Sequence, residues 1–194
     1  MSEKTLLLWE DIETSGLDTS KDHILEVAFV LTDTEFNELG DFERVILPRG
    51  GPDRPHLVRE IYSAADPIVQ AMHTTNGLWK DVEMNGAPLD SVAWDAAAWC
   101  KSLCDEHGAE RPILAGASLH ALDWPMLQRD FKELSSLLHH RAFDVSTMKR
   151  AFEWWNPAAT QEPEPLPDMA AHRAMPDCRF TMCEAQLHRT FFRR

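Results

Sequence analysis

The chain has 194 residues, 44% of them hydrophobic and 26% charged, and a formal charge of −13 at pH 7. That length suits a single domain over residues 1–194 with ample chain for a core. The acidity speaks against a long basic groove for duplex nucleic acid. No apolar run is long enough for a spanning helix, and MSEKTLLLWED turns acidic too early for a secretory leader. Cys100, Cys104, Cys178 and Cys183 have neither a disulfide-framework nor a zinc-ribbon spacing, so they read as free thiols of a reducing, cytoplasmic compartment. The last 25 residues hold five arginines against two acids, an excess that a solvated helix face explains.

The chain opens with three predicted strands. Leu6 to Trp9 is an apolar run suited to a buried central strand, His23 to Thr32 is rich in β-branched residues, and Asp41 to Leu47 follows a turn around Asn37 and Gly40. Short connections make these an antiparallel meander. Pro48 to Pro55 is a Gly/Pro loop, and Asp66 to His73 reads as a short helix. Leu89 to His107 reads as a long one, with Val92, Ala96, Trp99 and Leu103 on one face. Pro112 to Gly116 is a buried strand before a helix over Asp123 to Leu134. Ala142 to Val145 is a fifth strand before a helix over Ser146 to Trp155. Asn156 to Asp168 is a proline-rich polar loop. The last helix is expected to start at Pro176, with Phe180, Cys183, Leu187 and Phe191 as its apolar stripe. The order β-β-β-α-β-α-β-α predicts an α/β fold: a mixed five-stranded sheet, antiparallel meander plus parallel strands, flanked by helices.

Five residues carry the chemistry. Asp11 and Glu13 stand two apart on a strand, so both carboxylates point to one face at its exit. They repel each other unless a cation lies between them, and Mg²⁺ and Mn²⁺ favour such oxygens. Solvated acids at a frayed strand end are the bland alternative. Asp123 stands where a helix should begin, a place that also suits an N-cap. His172 and Asp177 are five apart, which puts Asp177 in a first helical turn and His172 on the segment leading into it. The pair reads as a fixed ligand beside a movable base, against the plainer reading of an exposed histidine among nine.

D-x-E-x-[ST]-G-L at Asp11 to Leu17, H-x-x-D at His120 to Asp123 and H-x4-D at His172 to Asp177 resemble the DEDDh group of 3′–5′ exonucleases. Within it the chain is most similar to the oligoribonucleases, a likeness that extends to MHTTNGL, AGASLH, LHHRAFDVSTMK and HRAMPD. The resemblance implies a ribonuclease-H-like fold and a two-metal mechanism with two Mg²⁺ or Mn²⁺. Asp11, Glu13 and Asp177 would hold one ion, Asp11 would bridge to the second, and Asp123 would reach that one mainly through water. His172 would be the general base, and the products nucleoside 5′-monophosphates. Thr14, Ser15, Gly16 and Leu17 would hold the 3′-terminal nucleotide, with Leu17 wedged between bases. His73 would contact substrate, Ser118 and the segment around His140 would reach the 5′ phosphate, and the chain would work as a homodimer.

The chain departs from that pattern in four places. Ile68 stands where a stacking aromatic is expected, His140 where a tyrosine is expected and Ala117 where an asparagine is expected; the H-x-x-D spacing is one residue longer. These leave two substrates open, short oligoribonucleotides and single-stranded DNA, because no residue declares itself as the reader of a 2′-hydroxyl. A non-catalytic module on the same fold would be expected to have lost one of the five residues, and a structural zinc site lacks any Cys/His spacing.

Overall fold

The computed structural model describes residues 4–50, 54, 56–157 and 172–191. Its centre is strand β1, Leu6–Thr14. Leu6, Leu8 and Ile12 sink into one layer and Leu7 and Trp9 into the other, all at least nine-tenths buried. A strand apolar on both faces belongs in the middle of a sheet. β2 (Ile24–Asp33) and β3 (Glu38–Leu47) complete the antiparallel meander, and β5 (Ile113–Gly116) and β6 (Ala142–Asp144) run parallel to β1 on its other side. The strand order is β4-β3-β2-β1-β5-β6. The mixed α/β sheet is therefore as expected, with a sixth strand, the two-residue β4 (Ala87–Pro88), added parallel to β3.

Three helix groups cover the sheet. α4 (Leu89–His107), α5 (Asp123–Asp130) and α6 (Lys132–Leu137) bury Val92, Ala96, Cys100, Met126 and Leu134 against Leu6, Leu8 and Phe29. On the opposite face, α8 (Ala174–Arg189) packs Met175, Cys178 and Ala185 against Trp9, Ala28 and Val30 beside α7 (Val145–Trp155). α1 (Leu57–Ala64), α2 (Pro67–Thr75) and α3 (Leu78–Asn85) form a smaller apolar cluster with Leu25.

Several boundaries differ from expectation. β1 continues five residues beyond Trp9, because pairing with β2 persists through the acidic stretch. α1 and α3 stand on either side of the helix expected over Asp66 to His73, where the sequence predicts no element; α1 has eight residues and buries only Leu57 and Ile61. The helix expected over Asp123 to Leu134 is broken at Phe131 (φ −118°, ψ 53°), whose buried ring turns onto Phe29 at a centroid distance of 6.1 Å. Asp130, just before the break, is held by Arg49 at 3.2 Å and by Arg129. α8 starts at Ala174, two residues before Pro176, and its buried face is Ala174, Met175, Cys178, Thr181, Glu184, Ala185 and His188. The expected stripe of Phe180, Cys183, Leu187 and Phe191 is only half-buried. Most of the expected loop over Asn156 to Asp168 lies outside the described residues.

Candidate active site

β1 delivers Asp11 and Glu13 to the face that α8 covers. Glu13 pairs in register with Glu26 of β2, and a bulge follows between Glu13 and Thr14. The bulge turns the chain into the Thr14–Leu17 segment, which local hydrogen bonds then fix. The Ser15 amide donates to the His23 carbonyl (2.9 Å), the His23 amide donates to the Ser15 hydroxyl (3.0 Å), and the Thr14 hydroxyl donates to the Gly16 carbonyl (2.8 Å). Gly16 is needed here for space: a Cβ on it would lie 2.3 Å from an Asp22 carboxylate oxygen. That carboxylate also accepts the Asp18 amide at 2.9 Å. Leu17 projects from this turn 80% exposed, unlike the core residue that an apolar side chain after a glycine turn usually becomes.

α8 supplies the other half. Arg173, the residue before the helix, holds the buried Glu26 through Nε–Oε2 (2.9 Å) and Nη2–Oε1 (2.6 Å), and reaches Asp81 of α3 at 3.0 Å. The Ala174 amide donates to Glu26 as well (3.0 Å). The start of α8 is thus tied to β2 and α3 at once, which sets the position of Asp177 in its first turn. His172 is exposed with a left-handed backbone (φ 61°), a costly conformation for a residue with a Cβ. Its carbonyl is held by the side-chain amide of Asn76, the C-cap residue of α2.

These constraints bring Glu13, His172 and Asp177 together, with one ligand atom of each within 4.8 Å of the others. Asp11 and Asp123 adjoin them closely enough to act on their ionisation. Burial, then the charges of Glu13, Asp123 and Asp177, push the Asp11 carboxyl well above its ordinary range. Burial, then Asp177 and Glu26, raise Glu13 to about 8 against the opposing pull of Arg173. Burial raises Asp123 to about 7, and burial also raises Asp177 against the opposing effect of His172. So many carboxylates under mutual repulsion, all hard oxygen donors and with an imidazole beside them, fit a divalent cation.

Asp123 is the first residue of α5 and makes no capping bond there; the N-cap position is Leu122. Glu10 acts with it instead: burial, then the charges of Asp123 and Asp11, push the Glu10 carboxyl well above its ordinary range. His73 is fully buried, with Nε2 3.0 Å from the Thr14 carbonyl and 3.8 Å from Glu13, so in this conformation it supports the Thr14–Leu17 segment from behind. Ser118 is exposed with φ 54°, and its hydroxyl donates to Ser146 at 3.1 Å. His140 is exposed and packs on His139 at a centroid distance of 4.1 Å. These last two lie at β5 and β6 and do not join the acidic cluster.

A family profile described as Exonuclease matches residues 8–184, the span that carries every residue of this cluster. The chain belongs to the exonuclease family. The exonuclease is 31% identical to an oligoribonuclease of Mycobacterium sp. (strain KMS), with 94% of this chain and 79% of that protein covered. An oligoribonuclease of Rhodococcus jostii (strain RHA1) is 29% identical over 94% of this chain and 85% of its own length. Among solved structures, the zinc-bound E. coli ExoI–ssDNA complex superposes with a TM-score of 0.68 at 19% identity. That match takes in 99% of this chain but only 42% of the ExoI chain, so it bears on the fold alone. As a family member, the exonuclease is a phosphodiester hydrolase acting from a 3′ end, similar to the oligoribonucleases.

Four residues that shape the exonuclease's site escape a reading of sequence motifs: Glu10, Glu26, Asn76 and Arg173. A signal for two of them exists. Glu10 and Glu26 interrupt the apolar runs LLLWE and ILEVAFV, where an acid has to be buried. Arg173 and Asn76 lie inside the segments HRAMPD and MHTTNGL, but the tertiary contacts through which they act have no local signal.

Proposed function

We propose that the exonuclease hydrolyses short oligoribonucleotides from the 3′ end to nucleoside 5′-monophosphates by a two-metal mechanism. The observation that carries this reading is the convergence of Glu13, His172 and Asp177 within 4.8 Å at the end of β1, with Asp11 and Asp123 beside them. Two Mg²⁺ or Mn²⁺ ions fit the donors, one on Asp11, Glu13 and Asp177, the other on Asp11 and Asp123. When bound, such ions acidify an attacking water and offset charge on the leaving 3′ oxygen. His172 would take the proton of such a water, since its exposure and left-handed backbone place it at the mouth of the cluster. Thr14 to Leu17 seat the terminal nucleotide, and the exposed Leu17 wedges beside its base.

The preference for short RNA follows the oligoribonuclease relatives and the chain's charge of −13, which suits a substrate with few phosphates. By the same likeness the enzyme is one exonuclease domain, cytoplasmic and homodimeric. Trp154 and Trp155, 69% and 80% exposed, offer apolar surface for a second copy. The test is cleavage of 5′-labelled di- and pentaribonucleotides, a longer RNA and matched DNA, with Mn²⁺ or with chelator. Metal-dependent trimming fastest on the dinucleotide, and about 100- to 10,000-fold slower in His172→Ala, supports the reading. Faster cleavage of DNA or of the long strand overturns the substrate and keeps the chemistry. Unchanged activity in His172→Ala overturns the base.

A further inference from the structure

Glu10 is the least expected residue of β1. It lies on the strand face shared by Leu8 and Ile12, opposite Asp11 and Glu13, and is 1% exposed. Both of its carboxylate oxygens are sealed from solvent, and neither accepts a bond from an N–H or hydroxyl group among the described residues. Its neighbours are acids: Asp123, Asp11 and Asp144. No cation is among the charges that act most strongly on it. Asp144 is itself committed, accepting the amides of Leu119 (2.9 Å) and Thr147 (2.8 Å).

The fold makes room for this arrangement. Gly116, at the end of β5, has no Cβ, and one built there would lie 3.0 Å from Glu10 Oε1. The Glu10 carboxyl therefore packs against the end of β5. Asp123, the first residue of α5, acts on both Glu10 and Asp11, which lie on opposite faces of β1. A buried carboxylate with no donor, facing another carboxylate, is a costly arrangement that a hard cation relieves.

We infer that Glu10 is a fifth carboxylate of the metal centre, holding with Asp123 the cation on the α5 side of β1. This rests on the two-metal reading and adds a ligand to the second ion, which would otherwise depend on Asp11 and an indirect contact from Asp123. Even a group that only hydrogen-bonds a metal's ligands typically costs about 10–100-fold in affinity when it is removed, so a direct ligand should cost at least about 10-fold. Glu10→Gln keeps the shape of the side chain and Glu10→Leu removes the polar group altogether.

The experiment is titration calorimetry of the full chain with Mn²⁺, without nucleic acid, on wild type, Glu10→Gln, Glu10→Leu and Asp11→Asn, with thermal melts in chelator and in Mn²⁺. The expected result is two ions per wild-type chain, and one of the two weakened at least about 10-fold in both Glu10 variants. Glu10→Leu should also melt higher than wild type in chelator and gain less from Mn²⁺, since it loses a buried carboxyl that no N–H or hydroxyl group satisfies. Wild-type affinity for both ions in the two Glu10 variants, or a single ion bound equally by all, overturns the inference. In that event Asp11→Asn separates the causes: if it loses Mn²⁺, only the role of Glu10 fails, and if it too binds as wild type, the two-metal reading fails with it.

Discussion

The acids of the site are strained by one another, and that strain has a pH signature. Glu13 titrates near 8 in the folded chain and Asp123 near 7, both far above their values in an unfolded chain. A carboxyl whose folded value is raised favours folding while protonated, and that favour is lost as pH climbs from the unfolded value toward the folded one. Without metal, the melting temperature should therefore fall between about pH 5 and about pH 8. With Mn²⁺ the fall should be offset, because the ion binds the ionised acids of the folded state only. Scanning calorimetry in chelator and in Mn²⁺ at several pH values checks this, and a metal-free melt that rises across that window contradicts it.

The site depends on how its elements are tied together as much as on its acids. Arg173 spans α8, β2 and α3, with Glu26 fully buried beneath it. Arg173→Ala leaves that carboxylate unpaired and should cost about 3–5 kcal/mol in urea unfolding. Arg179→Ala, which removes partly exposed pairs with Glu38 and Asp41, should cost about 1 kcal/mol or less. Equal losses in the two would show that the buried clamp has no special weight. The contrast also shows what the sequence can reveal. α4 is legible to the residue, Leu89–His107, because a long helix repeats its apolar period many times. The acidic motifs are legible because each keeps a fixed spacing. The break at Phe131, the start of α8 at Ala174 and the Arg173 clamp are set by distant partners, and so have no local pattern to betray them. The apolar stripe of α8 was misplaced for a related reason: Thr181, Glu184 and His188 are buried, and polarity alone would have put them outside.

At the scale of the whole molecule, charge and chemistry pull in opposite directions. A chain at −13 repels polyanions at a distance, while its site needs a phosphodiester within reach of the acidic cluster. Affinity should therefore come from the terminal nucleotide and bound metal rather than from an extended basic surface. If about two phosphates are contacted, raising salt from about 50 to about 200 mM should weaken short-RNA binding by no more than about sevenfold. Fluorescence anisotropy of a labelled oligoribonucleotide with the His172→Ala variant, which keeps every carboxylate of the cluster, over a salt series in Mn²⁺, measures the slope. A much steeper dependence would point to a longer electrostatic track than the charge distribution allows.

The close packing of Asp22 against Gly16 has a consequence for the coding sequence. Glycine alone lacks a Cβ, so every missense change at codon 16 places a carbon about where the Asp22 carboxylate sits. Displacing that carboxylate also releases the Asp18 amide, which it accepts at 2.9 Å, and loosens the turn that presents Leu17. A missense change at this codon is therefore felt first not at residue 16 but at Asp22, whose carboxylate has to find another place.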